Sequence, residues 1–228
     1  MTMTIRQHLP TILSNGLLLA ALLLAACETD SYEKGTGRYS LMQADLCELT
    51  VDGSQQGTRF VTDEGISYQF DKPYSATWIQ TADTTYRTLI YYNKLADGQA
   101  EAMAVSSIVT LHPIAHWRFD KQPQDPIGVE SAWLSTTGRY LNMGLLMKTG
   151  RIDDEELPHN IGLAQDTILT HADQTRTAYY RLLHSQNGIP EYYTNRRYVS
   201  ILLPADRPDT VHLSIETYQG TLERIFPL

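Results

Sequence analysis

The sequence predicts an all-β protein in which a small OB-like Greek-key barrel is followed by a β-sandwich. From Tyr39 onward, apolar and polar residues alternate with a period of two, and β-branched and aromatic residues fill the alternating stretches. Gly, Asp, Asn and Pro separate these stretches, which is typical of short strands joined by turns. Beyond the N-terminal segment, no window long enough for a stable helix shows a period of 3.6 residues.

The first 26 residues have the features of an export signal. Arg6 precedes an apolar run from Gly16 to Ala26, and this run is too short to span a bilayer. Small residues lead directly into Cys27, an arrangement that resembles a bacterial lipobox. We therefore expect removal of residues 1–26 and attachment of a diacylglyceryl group to the sulfur of Cys27, which anchors the mature protein to a membrane.

The charge of the mature chain argues against polyanionic partners. Removal of 26 of the 228 residues takes away Arg6 and no acid, leaving 17 basic and 26 acidic side chains, a formal charge of −9. An acidic surface opposes binding to nucleic acid or to anionic headgroups, so we expect no nucleic-acid partner. Lipidation of Cys27 leaves Cys47 without a disulfide partner, and its alternating surroundings predict a small buried hydrophobe rather than a reactive thiol.

The strands fall into two groups. Residues 27–37 are polar and rich in turn-forming residues, so we expect a flexible tether. Residues 38–114 contain about five short strands and suit the barrel. One of these strands, Tyr86–Asn93, places Thr88, Ile90 and Tyr92 on a single face.

The second group follows a break. Residues 115–126 contain two prolines and no alternation, so we interpret them as a linker. Residues 127–228 contain about six or seven strands and suit a sandwich. Leu141, Met143 and Leu145 alternate in one of them, and the predicted closing strands are Tyr198–Leu203 and Val211–Tyr218.

Several short motifs carry a family resemblance. Together with the lipobox-like segment, they resemble the NigD-like lipoproteins of Bacteroidetes, and they are Tyr39–Leu41, Arg139–Met143, His159–Leu163 and Tyr180–His184. The resemblance implies an N-terminal OB-like domain, a C-terminal β-sandwich and no defined active site. We expect a location at the outer membrane, on either its periplasmic or its cell-surface side. A role in immunity or in protection against a toxin is implied by the resemblance alone.

One departure from the family pattern concerns the turn after His184. The resemblance leads us to expect an Asn-x-x-Gly-Asp sequence there, whereas the chain continues Ser185-Gln186-Asn187-Gly188-Ile189. No role that needs a carboxylate at this turn is therefore carried over.

The segment Gln186–Arg197 is the first candidate binding surface. It combines a turn signal, a proline, adjacent tyrosines and paired arginines between two predicted strands. Tyr and Arg are enriched at protein interfaces, so we predict contact with a partner through Tyr192, Tyr193, Arg196 and Arg197. The alternative is an ordinary hairpin loop with one packed tyrosine.

Aromatic residues of the front domain form a second candidate. Tyr91, Tyr92 and Trp78 have the character needed to stack a sugar or a peptide on the face of an OB barrel. The alternative is that they build the barrel core.

Functionally, the sequence favours a lipid-anchored envelope protein that binds a protein or a glycan and has no catalytic role. One alternative is a glycan hydrolase with a carboxylate pair drawn from Asp166, Asp173 and Glu191, which needs two of them about 5 Å apart in a cleft. Another alternative is a structural subunit of an outer-membrane complex. We expect no cofactor.

Other motifs are weaker. Ser31–Lys34 and Lys148–Gly150 echo penicillin-binding enzymes, but the first lies in the predicted tether, where nothing fixes the serine. The acidic run Asp153–Glu156 lacks the ligand pattern of an EF-hand and favours a solvated turn.

The histidines do not predict a metal site. His112 and His116 have zinc-like spacing, with Asp120 and Asp125 following, but Pro113 prevents the helix that would align the two imidazoles. Three further histidines of the rear half, His159, His171 and His184, lie in separate segments, and no convergence is predicted.

Overall fold

The computed structural model describes residues 41–151 and 158–228, which belong to one compact unit beginning at Leu41. The predicted signal, Cys27, the tether and Ser31–Lys34 lie outside the described residues, as does the acidic run Asp153–Glu156. Within the described part of the chain, no helix has the length and apolar character needed to cross a membrane.

The first five strands form the predicted closed barrel. Its strand order is β1-β2-β3-β5-β4, with β4 returning to pair with β1, and β3 and β5 run parallel where they pair. This is the five-stranded Greek-key architecture expected of an OB-like module. The strands are β1 (Gln43–Val51), β2 (Gly57–Thr62), β3 (Ser67–Tyr74), β4 (Thr84–Lys94) and β5 (Gln99–Ser107).

The alternation of the strands places apolar side chains inside the barrel. In β4, Thr88, Ile90 and Tyr92 are buried, as their period of two predicts. The ring of Phe60 lies 4.9 Å from that of Tyr92, in the edge-to-face arrangement that aromatic pairs prefer. Cys47 is fully buried in the same core, which confirms its role as a small hydrophobe.

Two sheets form the sandwich. The four-stranded sheet has the order β6-β12-β9-β8, and its strands are β6 (Val109–Leu111), β8 (Gly128–Leu134), β9 (Tyr140–Thr149) and β12 (Tyr193–Leu202).

The five-stranded sheet has the order β14-β13-β11-β10-β7. Its strands are β7 (Ile114–Ala115), β10 (Asn160–Thr170), β11 (Arg176–Ser185), β13 (Thr210–Thr217) and β14 (Gly220–Pro227).

Strand β9 is the centre of the sandwich. Leu141, Met143 and Leu145 point into the core between the two sheets. The opposite face of β9 is also buried, and Tyr140 and Asn142 on that face contact the barrel. A strand buried on both faces explains why apolar residues are unusually frequent along it.

The strand pairing moves the boundary between the two modules. Residues 109–111 and 114–115, which the sequence analysis assigned to the barrel and the start of the linker, pair as β6 with β12 and as β7 with β10. The last barrel strand ends at Ser107. Alternation identifies a strand but does not identify its partner, which is why the sequence placed these residues in the wrong sheet.

The predicted linker is attached to the sandwich. It contains a short 3-10 turn at His116–Arg118, and the segment that follows lies against the end of β11. The N–H of His184 donates to the carbonyl of Pro123 at 3.0 Å, and the N–H of Asp125 donates to the carbonyl of His184 at 2.9 Å. Residues 123–125 are therefore held by backbone hydrogen bonds.

Candidate functional site

The barrel and the sandwich meet at a buried polar network. Arg87 of β4, with a side chain 2% exposed, donates two hydrogen bonds of 2.7 Å to the carboxylate of Asp63. The same guanidinium donates to Ser200 Oγ and to Asn142 Oδ1, both at 3.0 Å. Asn142 in turn donates to Asp63 at 2.7 Å. Because each charge is paired and hydrogen-bonded, this buried ion pair meets the conditions for a stable one.

Tyr140 extends the network to the surface. The Arg87 guanidinium lies 4.0 Å from the centre of the Tyr140 ring, in cation–π contact. The Tyr140 hydroxyl donates to Glu48 of the barrel at 2.7 Å, and Arg139 donates to the other oxygen of Glu48. Burial, followed by the hydrogen bond to Glu48, raises the pKa of Tyr140 to about 12. The barrel therefore donates hydrogen bonds to the sandwich through Arg87, and the sandwich donates hydrogen bonds to the barrel through Arg139 and Tyr140.

A cleft of about 880 Å³ lies between the barrel and the sandwich. This volume is within the range of small-molecule and peptide sites. Its walls come from Leu89 and Tyr91 of β4, from residues 106–109, from residues 195–199 of β12 and from residues 158–161 at the start of β10. We refer to this space as the cleft.

The cleft is basic in an acidic protein. Its lining includes Arg196 and Arg197 but no Asp or Glu among the described residues, whereas the whole chain has a formal charge of −8. Arg196 is held by an ion pair with Glu130. Arg197 is exposed and makes no ion pair with any described residue. Because Arg196 is paired, the positive charge that no described carboxylate compensates is that of Arg197.

Two strands have free edges at the cleft. Strand β6 pairs only with residues 199–201 of β12, so within the described chain residues 193–198 pair with β9 alone. Similarly, β7 pairs with Ala164 and Gln165 of β10 and not with residues 160–163. Each free edge presents backbone N–H and C=O groups that lack a partner strand in the described residues.

His159 and His184 form a stacked pair beside the cleft. Their rings are 5.2 Å apart and nearly parallel, with an angle of 10°. His159 Nδ1 lies 2.9 Å from His184 Nε2, and His184 Nδ1 lies 2.9 Å from the carbonyl oxygen of Asp125. A carbonyl only accepts, so His184 Nδ1 carries a proton, and in the neutral pair His159 Nδ1 donates to His184 Nε2.

His159 Nε2 is buried, and the ring also interacts with the backbone of Lys148. Burial, followed by the charge interactions with His184 and Arg197, lowers the pKa of His159. The sequence analysis predicted no convergence of these histidines. The register that pairs Ile161 with His184 brings them together, and no local pattern reveals that register.

The structure divides the predicted surface of two tyrosines and two arginines. Arg196 and Arg197 line the cleft, whereas Tyr192 and Tyr193 do not. Both tyrosines are exposed, at 77% and 47%, so neither is the packed tyrosine of the alternative reading. Tyr192 lies over Gly150, where an added Cβ would come within 2.8 Å of the tyrosine ring.

The three aromatic candidates of the barrel lie in different environments. Tyr92 is buried in the core, and its hydroxyl donates to Asp45 at 2.9 Å. Trp78 packs edge to face on Tyr86. Tyr91 alone of the three candidates lines the cleft, so it is the one placed to contact a ligand there.

The carboxylates of the hydrolase alternative are bound to separate partners. Asp166 accepts two hydrogen bonds from Arg181, and none of the three carboxylates lines the cleft. A hydrogen bond from Thr175 lowers the pKa of Asp173, and one from Lys148 lowers the pKa of Glu191. A glycosidase acid needs a raised pKa, so the geometry gives this alternative no support.

The histidines of the predicted linker do not converge on a ligand. His112 is exposed, and the ring of His116 contacts Trp117. Among residues 41–151 and 158–228, no three His, Cys, Asp or Glu side chains are grouped so as to hold a metal ion.

No protein-family model matches the chain, and no curated protein sequence matches it. Solved structures do match. A NigD-like immunity protein from Bacteroides caccae is 24% identical, with a TM-score of 0.63 over 80% of this chain and 91% of its own. A protein provisionally named as toxin-related from Parabacteroides distasonis is 16% identical, with a TM-score of 0.62 over 82% of this chain and 93% of its own.

A third structure, of a protein provisionally named as a lipoprotein from Bacteroides fragilis, is 12% identical, with a TM-score of 0.57 over 81% of this chain and 96% of its own. These similarities concern the fold, and they extend over nearly the whole length of each solved chain. The chain therefore has the fold of the NigD-like immunity protein, as its sequence motifs indicated.

Proposed function

We propose that this protein is a lipid-anchored binding protein of the bacterial cell envelope, which holds a protein or glycan partner in the cleft and has no catalytic role. The observation that carries the proposal is the basic lining of the cleft. Arg196 and Arg197 both line the cleft, and Arg197 has no ion-pair partner among the described residues, although the chain as a whole is acidic. Such local reversal of charge favours an anionic partner.

The anchoring part of the proposal rests on the N-terminal sequence. Cys27 follows an apolar run and small residues, and one of the matched structures is provisionally named as a lipoprotein. In this proposal the acyl group on Cys27 inserts into the outer membrane. Mass spectrometry of the native N-terminal peptide tests this part, because it distinguishes an acylated Cys27 from a free thiol or an uncleaved signal.

The names of the matched structures favour a protein partner. One is described as an immunity protein and another as toxin-related, so protection against a toxin is the first version of the proposal. In this version the protein sequesters its partner by contact, without altering it covalently.

Partner capture from an envelope extract tests the binding part. The wild-type protein is compared with a variant in which Arg196→Glu and Arg197→Glu reverse the charge of the cleft. The matched control is Arg224→Glu, because Arg224 is exposed on β14 in the other sheet. We expect wild type and control to retain the same partner and the double variant to lose it. Equal recovery by all three proteins would refute binding in the cleft.

A further inference from the structure

We propose that the occupant of the cleft is an extended acidic peptide segment, which adds as a strand to the free edge of β12. This inference rests on the proposed function, because it requires that the cleft bind a partner. It goes further in naming the backbone groups and the side-chain charge that recognise that partner.

The free edge results from the path of the chain between the two modules. Strand β6 begins at Val109, opposite Val199 of β12. The preceding residue, Ile108, is bonded to the barrel instead, because its N–H donates to the carbonyl of Arg87 in β4 at 2.8 Å. The position that a longer β6 would occupy beside residues 193–198 is therefore left to the cleft.

The dimensions suit one added strand. Paired strands lie about 4.8 Å apart and rise about 3.3 Å per residue, so the free part of β12 accommodates a segment of roughly six residues, or about 20 Å. Backbone hydrogen bonds to a sheet edge supply affinity that does not depend on side chains, and alternate side chains supply selectivity.

The two faces of β12 define that selectivity. Arg197 lies on the same face as Val199, in register with Leu145 and Met143 of β9. On this face the side chains of an added strand would lie beside Arg197 and then beside Val199, at the edge of the apolar core of the sandwich. Arg196 lies on the opposite face, which is directed towards the barrel.

Charge complementarity selects an acidic peptide over a neutral or basic one. Arg197 makes no ion pair with a described residue, so a carboxylate that reaches it displaces no partner among the described residues. Arg196 is already held by Glu130 and is fixed in orientation. A peptide carboxylate therefore gains most beside Arg197, where a bidentate contact is available.

The test uses the complete mature protein, solubilised in detergent. The ligands are fluorescent hexapeptides in which Asp and Val alternate. We expect saturable binding of this peptide, measured by anisotropy, and at least tenfold weaker binding of a Lys-Val peptide of equal length. Arg197→Gln should weaken binding of the acidic peptide at least tenfold, whereas the matched Arg224→Gln should leave it unchanged.

Backbone methylation distinguishes strand addition from simple charge attraction. A strand pairs through every second residue along one edge, so methylation of the amides on one alternate set should abolish binding and methylation of the other set should be tolerated. Strand addition would be overturned if methylation of either set of amides weakened binding equally, or if neither set affected binding.

Two further experiments, with an acidic oligosaccharide and by sedimentation, distinguish a failure of this inference from a failure of the proposed function. Binding of an acidic oligogalacturonate, without binding of the acidic peptide, would overturn the peptide inference and leave a glycan-binding cleft. A dimer that forms in sedimentation experiments and disappears in Arg197→Gln would replace the foreign peptide by a second copy of this chain. Failure of every probe, together with partner capture that ignores Arg196 and Arg197, would end both proposals.

Discussion

The guanidinium of Arg87 in the barrel donates a 3.0 Å hydrogen bond to Ser200 Oγ in the sandwich, 113 positions later in the chain. Both groups are buried, and Asn142 and Asp63 complete their hydrogen bonding. The relative position of the two modules is thus fixed by groups that are costly to leave unpaired.

Arg87→Ala should lower the free energy of unfolding by about 3–5 kcal/mol, because Asp63 is then left as a charge only 18% exposed and without its counter-ion. Urea denaturation of the two proteins measures the difference. The control is Arg224→Ala at an exposed position, for which we expect a change within about 0.5 kcal/mol. Equal midpoints and slopes for Arg87→Ala and wild type would show that the network contributes no stability.

Tyr180→Phe should stabilise the protein by about 1 kcal/mol at neutral pH. The Tyr180 hydroxyl is buried and has no hydrogen-bond partner in the described chain, so its removal ends a desolvation cost. The matched control is Tyr140→Phe, which removes a hydroxyl that donates to Glu48 and should therefore destabilise the protein. Thermal and urea unfolding of both variants measure these changes, and a loss of stability in Tyr180→Phe would mean that the hydroxyl has a partner.

The same variant should alter the alkaline limb of the stability profile. Burial raises the pKa of Tyr180 from an ordinary value near 10 to about 12. The unfolded chain then loses this proton first. Ionisation of Tyr180 therefore leaves the stability unchanged below pH 10 and lowers it as the pH rises towards 12. We expect a smaller slope of unfolding free energy against pH in Tyr180→Phe, measured by urea titrations between pH 9 and 12. An unchanged slope would contradict the raised pKa.

Those features of the fold that depend on the residue pattern within a single strand could be predicted from the sequence. The inward side chains of β4 and the core side chains of β9 were predicted because inside and outside alternate along a single strand. Strand β14 was missed, because three consecutive exposed residues, Glu223 to Ile225, hide its alternation. The partners of β6 and β7 were also missed, since the sheet that a strand joins is decided by residues far away in the chain.

The site could be predicted only in part for the same reason. Arg196 and Arg197 were predicted from their residue type, which suits an interface irrespective of the fold. Both line the cleft, and their role in binding stays a prediction. Tyr192 and Tyr193 were grouped with them by proximity in sequence, but the direction of the chain at the start of β12 places them outside the cleft. The pairing of His159 with His184 depends on the register of β10 with β11, which no short motif encodes.

His159→Gln should reduce the loss of stability on the acid side of neutrality. Burial, followed by the interaction with His184, lowers the pKa of His159 below its ordinary 6.5. The unfolded chain therefore binds a proton first as the pH falls, and the stability present above pH 6.5 is lost below it. Urea titrations between pH 5 and 7.5 should show a shallower profile for His159→Gln than for wild type.

The matched control for this experiment is His171→Gln, because His171 is exposed at the turn between β10 and β11. We expect its profile to parallel that of the wild type. A His159→Gln profile that also parallels the wild type would contradict the lowered pKa.

Gly128→Ala should destabilise the protein by about 1–3 kcal/mol. An added Cβ at Gly128 would lie 2.8 Å from the Cβ of Leu146 and 3.0 Å from its carbonyl oxygen, so β8 would have to move away from β9. Gly53→Ala is the control, because the nearest atoms there are 3.6 Å away and belong to the Asp83 side chain. Thermal unfolding measures both changes, and equal melting temperatures would show that β8 adapts without cost.

The buried polar network between barrel and sandwich also restrains the walls of the cleft. The walls cannot separate without breaking the hydrogen bonds that Ser200 and Asn142 of the sandwich make with Arg87 and Asp63 of the barrel. A helix uses its backbone groups for its own hydrogen bonds, so the free edge of β12 at the cleft suits an extended chain rather than a helix. Under the proposed strand addition, a folded partner therefore has to offer a protruding loop or an unstructured end.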